Sequence, residues 1–143
     1  MELPFKRLDP GVSLPACGHP GDAGLDLVSA VDVDVGPGER AMVPTGVAVA
    51  IPPGHAGLVL PRSGLASRHG LTMANAPGLI DSGYRGEVIC TVVNLDRDHA
   101  VRISRGDRIA QLVVVALPQV EPAWTEELPP STRGEGGFGS TGR

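Results

Sequence analysis

Asp81 and Tyr84 stand three residues apart in "GLIDSGYRGEV" (78–88), a polar stretch between two apolar runs. The tyrosine is the only one in the chain, which otherwise has one tryptophan and two phenylalanines as aromatics. A tight turn would account for Gly83 and Gly86, but not for an aspartate and a tyrosine at that spacing. A carboxylate held at the tip of apolar strands can serve as a general base, and an aromatic ring beside it offers a flat face for stacking. Four other fragments hold groups of comparable use. "PRSGLA" (61–66) sets the Arg62 fork, the Ser63 hydroxyl and the open Gly64 amide at the possible start of a helix, groups that suit an anion. Asp26 in "AGLDL" (23–27) either ends a turn or holds a hard cation, directly or through water. Gln111 in "GDRIAQLV" (106–113) sits among apolar neighbours and needs a partner if buried, structural or ligand-borne. The tail "RGEGGFGSTG" (133–142) offers Arg133, Phe138 and small residues whose amides can approach phosphate oxygens. It is not a P-loop, because it lacks the preceding strand, the lysine and the following helix.

These groups need rigid elements to aim them. "VDVDV" (31–35) and "VAVAI" (47–51) alternate strictly and predict half-buried strands. "AGLVLP" (56–61), "LTMANAPGLI" (71–80), "EVICTVVNL" (87–95) and "DRIAQLVVVAL" (107–117) predict further strands, with "GLIDSGYRGEV" as the tip of a β-hairpin. With 20 glycines and 14 prolines punctuating short apolar runs, the pattern is that of a sandwich or barrel. One short helix is expected over 63–70, capped by Ser63 and stopped by Gly70. The β core should span 1–127, and the glycine-rich 128–143 should be a mobile lid of the same domain.

A chain of 143 residues suits one domain. Its formal charge of −4, with both signs scattered, argues against binding nucleic acid without regard to sequence. No apolar stretch approaches the ~20 residues that span a bilayer, and the start lacks a secretory leader, so a cytoplasmic protein is expected. Cys17 and Cys90 are far apart and should be two reduced thiols. His19, His55, His69 and His99 never recur at ligand spacing, so no zinc site is expected.

Taken in order, "AGLDL", "PRSGLA", "GLIDSGYRGEV", "GDRIAQLV" and "RGEGGFGSTG" resemble the five motifs of the trimeric dUTP pyrophosphatase (dUTPase) family, from about residue 22 to residue 142. The resemblance implies an all-β, distorted jelly-roll barrel of the β-clip type. It also implies a homotrimer with exchanged C-terminal segments, active sites between subunits, and Val113 to Leu117 near the threefold axis. The implied activity is hydrolysis of dUTP to dUMP and pyrophosphate with Mg2+. Asp81 would be the general base. Backbone groups near Gly78, Leu79, Ile80 and Ile89, with the Asn75 side chain, would read the uracil edge. Tyr84 would stack under the deoxyribose and exclude a 2′-hydroxyl. Arg62, Ser63, Gly64 and Gln111 would hold phosphate oxygens, while Asp26 would reach Mg2+ through water. Phe138 would cover the uracil, with Arg133 and the Gly139–Ser140–Thr141 segment on the outer phosphates. Arg85 receives no role. A dCTP deaminase shares this fold but carries a glutamate on the strand after the hairpin, where "VICTVV" (88–93) has Thr91 instead. A non-catalytic nucleotide-binding regulator could lack Asp81 or the tail, both of which this chain has.

Overall fold

A computed structural model describes residues 1–137 as two four-stranded antiparallel sheets, a two-stranded ribbon and one short helix. The first sheet runs β1 (Phe5–Arg7), β4 (Arg40–Val49), β8 (Glu87–Asn94), β6 (Leu71–Met73). The second runs β2 (Leu25–Val28), β10 (Arg108–Ala116), β5 (His55–Pro61), β7 (Gly78–Ile80). β3 (Val33–Val35) and β9 (Val101–Ile103) form the ribbon. Inward positions close one core: Val88, Cys90 and Val92 alternate along β8, Val43, Val47 and Val49 along β4, and Leu27, Leu112 and Val59 face them from the second sheet. The buried polar side chains are satisfied from within: Thr45 Oγ1 donates to the Val88 carbonyl at 2.6 Å, and Asn94 Nδ2 to those of Val35 and His99 at 2.9 Å. This is the expected all-β architecture, a distorted jelly roll with one helix.

Four expectations change in detail. "LTMANAPGLI" is two strands, β6 and β7, separated by a turn with a cis Ala76–Pro77 bond. β7 pairs with β5, whereas β8 pairs with β4 and β6, so the stretch around Asp81 is not a hairpin tip but a crossing from one sheet to the other. The helix α1 spans Ser63–His69, and its N-cap is Arg62 in extended conformation, with no side-chain cap bond. Arg62 leaves β5 with φ −92° and ψ 126°, and its carbonyl accepts the Leu65 and Ala66 amides, so Ser63 is already helical and cannot cap. Gly70 does stop the helix, at φ 65°. Within "VDVDV" only Val33–Val35 is a strand.

Beyond β10 the chain has no helix or strand up to residue 137, and every side chain from Ala116 to Glu135 is exposed. Trp124 is fully exposed, with Val120 and Leu128 nearly so. Among the described residues no helix is long and apolar enough to cross a membrane.

Candidate active site

Two cavities gather the sequence-predicted residues. The first, of about 570 Å³, is lined by Asp26, Arg62, Ser63, Gly64 and Gln111, together with Arg108, Gly24 and the Gly18–Asp22 loop. Its geometry depends on a bulge. Arg108 and Gln111 are three apart and would lie on opposite faces of a regular strand. The register of β10 against β2 shifts between Arg108 and Ala110, so Ile109 and Ala110 are both buried and Arg108 and Gln111 reach the same face. There Gln111 pairs across from Asp26, and its Nε2 donates to the Pro61 carbonyl at 3.1 Å, which orients the amide. Gly24 admits this side chain, because a Cβ there would stand 2.6 Å from Gln111 Oε1.

The Asp26 carboxylate, 19% exposed, lies between two arginines: Arg108 Nη1 at 3.1 Å from Oδ2 and Arg62 Nε at 3.4 Å from Oδ1. Arg62 Nη1 also donates to the Arg108 carbonyl at 3.0 Å. Asp22, whose carboxylate lies 3.5 Å from His19 Nδ1, also lines the cavity, so two guanidiniums stand with two carboxylates, both arginines are gathered on Asp26, and the Arg62 fork is aimed. Ser63, free of any capping bond, is exposed on the same wall.

The second cavity, of about 300 Å³, opens where the chain crosses between sheets. Val59, Gly78, Leu79 and Ile80 come from the second sheet, Met42, Met73, Val88 and Ile89 from the first, and Asn75, Asp81, Tyr84 and Glu87 complete it. Its outer face is apolar and uncovered: Met42 is 70% exposed, Leu79 65% and Ile89 42%. Such a patch beside a small cavity marks a binding surface for a ligand or another chain. The crossing loop is tied down on several sides. The Tyr84 amide donates to the Asp81 carbonyl at 3.0 Å, and Arg85 Nη1 donates to the carbonyls of Ser82 and Tyr84 at 2.7 and 2.8 Å. The Tyr84 hydroxyl donates to the Glu87 carbonyl at 2.9 Å. Glu87 Oε1 in turn accepts the Gly46 amide at 2.8 Å, across a bulge in β4 where Gly46 has φ 70°.

Of the sequence-predicted residues, the structure brings Asp26, Arg62, Ser63, Gly64 and Gln111 to the first cavity and Asn75, Gly78, Leu79, Ile80, Asp81, Tyr84 and Ile89 to the second. Sequence reasoning did not single out Arg108, the Arg85 clamp, the exposed Met42 or the buried floor of Val59 and Met73. Arg108 was legible as a cation beside Gln111, but only the bulge shows that it shares that face. Arg133 is exposed, donates through Nε to the Gly136 carbonyl at 2.7 Å and lines neither cavity. Phe138, Gly139 and Ser140 lie outside the described residues. No group of three His, Cys, Asp or Glu side chains that could hold a metal ion occurs among the described residues. Both cysteines are free; burial pushes the Cys90 thiol up to about 12, so it stays protonated.

Fold and cavities define an all-β jelly-roll protein with one cavity of charged and polar groups and one largely apolar cavity. The dUTPase family model matches residues 11–142. The deoxyuridine 5′-triphosphate nucleotidohydrolase of Mycolicibacterium gilvum is 58% identical, with 98% of this chain and 94% of the relative covered. That of Thermobifida fusca is 54% identical, covering 99% and 79%. Among solved structures, the dUTPase of Staphylococcus bacteriophage 80alpha with dUPNHPP superposes at a TM-score of 0.92, with 36% identity and 99% of both chains covered. A dUTPase of phage phi11 of S. aureus, whose structure describes the coordination of a structural Mg(II) ion, has a TM-score of 0.83 and 30% identity over 91% of this chain and all of that one. The chain belongs to the dUTPase family.

Proposed function

We propose that this protein hydrolyses dUTP to dUMP and pyrophosphate. The observation that carries this reading is the division of labour between the cavities: one presents Arg62, Arg108, Ser63 and Gln111 beside the Asp26 carboxylate, the other an apolar slot with Asp81 and Tyr84. The first suits a triphosphate and the second a deoxyribonucleoside. The cavities share no lining residue, and apolar side chains lie uncovered around the second and along the arm after β10. Both facts support a homotrimer in which the base cavity of one subunit faces the phosphate cavity of another, with the C-terminal segment exchanged to a neighbour. Residues 128–143 act in this reading as the lid, with Arg133, Phe138, Gly139 and Ser140 closing over the nucleotide.

In the base slot, backbone groups of Gly78, Leu79, Ile80 and Ile89 and the Asn75 amide pair with the uracil edge. A mismatched base leaves buried polar groups unpaired, which discriminates by ~10⁴ or more. Tyr84 lies against the sugar and blocks a 2′-hydroxyl. Asp81 takes a proton from a water whose oxygen bonds to the α-phosphorus, as the bond to the bridging oxygen breaks and its electron pair leaves with pyrophosphate. A positioned general base of this kind contributes ~10²–10⁴ in rate. Glu87, the other carboxylate of the slot, has Oε1 engaged by the Gly46 amide, which leaves Asp81 as the freer base. Arg62, Arg108, Ser63 and Gln111 align the phosphates and stabilise the charge that develops on them.

The donor set fits Mg2+ in an outer role only. Asp26 already meets two guanidiniums and no group of three or more potential ligands occurs among the described residues, so the phosphates would supply the direct ligands and Asp26 would act through water. When bound, the ion neutralises phosphate charge. A cytoplasmic site of action accords with an intracellular nucleotide substrate.

On the strand β8 no carboxylate follows Glu87, and Thr91 occupies the position where a dCTP deaminase would need one. The deciding experiment is pyrophosphate release from dUTP, dCTP, dTTP and UTP in parallel with Mg2+. Turnover of dUTP far above the others is expected. Ammonia release from dCTP, or no monophosphate from dUTP, would overturn the proposal.

A further inference from the structure

We infer that Gly86 is a positioning residue for substrate selectivity: its missing Cβ is the space in which the Tyr84 ring lies, and so it sets the wall against a 2′-hydroxyl. The inference rests on the reading of Tyr84 given above. A glycine in a tight loop is commonly there for a positive φ. Gly86 is not among the glycines with positive φ, and neither is Gly83, so the turn does not require glycine at either position. What distinguishes Gly86 is its neighbour. A Cβ built there would stand 2.6 Å from Tyr84 Cζ and 3.0 Å from Cε2, with the hydroxyl oxygen closer still. A Cβ on Gly83 would meet nothing within 4 Å.

Those ring atoms belong to one rigid plane, so a single methyl cannot be accommodated by moving one of them. The ring would have to swing about its first side-chain torsion and surrender the 2.9 Å bond to the Glu87 carbonyl. Its acceptor cannot follow, because Glu87 is held to Gly46 and the next carbonyl, Val88, is held by the buried Thr45 hydroxyl. Arg85 fixes the other side of the loop through the Ser82 and Tyr84 carbonyls. The loop backbone is therefore rigid, and the phenol, 46% exposed, is the part free to move. Displaced, it turns toward solvent and leaves the core intact. Gly86→Ala should accordingly fold normally while loosening the sugar wall.

The test measures kcat/KM for dUTP and UTP with the full-length protein carrying Gly86→Ala, Gly83→Ala, Tyr84→Ala, or Tyr84→Ala with Gly86→Ala. Gly86→Ala is expected to lower the dUTP/UTP ratio about tenfold or more. Gly83→Ala should keep the parent ratio, and the double variant should match Tyr84→Ala alone, since a residue acting through another adds nothing once that partner is gone. The ring resonances of Tyr84, the single tyrosine of the chain, should shift in the NMR spectrum of Gly86→Ala, a readout independent of turnover. An unshifted ring, or a ratio lowered by Tyr84→Ala but kept by Gly86→Ala, overturns the inference alone. A ratio unmoved by Tyr84→Ala overturns the role given to that ring and the inference with it.

Discussion

Replacing Arg108 by alanine removes one of the two cations on Asp26 and leaves the other in place. In the parent, Asp26 Oδ2 meets Arg108 at 3.1 Å and Oδ1 meets Arg62 at 3.4 Å. The bond from Arg62 to the Arg108 carbonyl involves backbone and survives the substitution. The Arg108 side chain is 54% exposed, so solvent screens the pair and its contribution to stability is only about 0.5–1 kcal/mol, a fall of a few degrees in Tm. The effect on catalysis should be larger. Bound phosphates exclude that solvent, and a charge-assisted contact then contributes about 1.5–3 kcal/mol. On that basis kcat/KM for dUTP should fall about 10- to 100-fold. Pyrophosphate release under pseudo-first-order conditions measures it, with thermal melting in parallel. Arg108→Lys keeps the charge but not the planar fork, and should recover part of the loss. A variant within about twofold of the parent would refute the role assigned to the bulge at Arg108–Ala110. So would a lysine as poor as alanine.

Asp81→Asn should abolish measurable turnover while a non-hydrolysable dUTP analogue still binds within about tenfold of the parent affinity, as calorimetry would show. Turnover near the parent value would move the base elsewhere. Deleting residues 133–143 should leave the β core folded, since no strand among the described residues reaches beyond Ala116, yet sharply reduce kcat. Unchanged kinetics would count against the lid. Asp9 offers a pH prediction: the Arg105 guanidinium, then the Gly11 amide, hold its carboxyl at about 2, below the ordinary 3.8. A lowered acid stabilises the fold fully above its unfolded pKa and loses that contribution as pH falls through the folded one. The Tm difference between the parent and Asp9→Asn should therefore hold at pH 5 and close as pH drops from about 4 to about 2. A difference independent of pH would assign it to packing.

The sequence by itself determined the class of fold, the order of the five motifs and the kinds of group each brings. Alternation along "VAVAI" and the apolar runs of β5, β8 and β10 record local burial, which a linear pattern carries because each strand repeats every two residues. Sequence spacing also carried Asp81 near Tyr84, three residues on, and Arg62 beside Ser63, since those pairings are local. Tertiary structure decided what depends on pairing between distant strands. Alternation cannot reveal a bulge, so only the register of β10 against β2 shows Arg108 and Gln111 on one face with Asp26. Nor can it reveal sheet membership, so the presumed hairpin became a crossing whose two flanks line one cavity from different sheets. Ser63 reads as a cap by residue type, yet the extended exit of β5 placed the cap one residue earlier at Arg62. Gly86 reads as a turn residue, and only the packing of Tyr84 shows that the space it leaves is already filled. Composition and spacing name the groups; strand register and close approach decide which of them meet, because those depend on three-dimensional contacts that no local stretch of chain encodes.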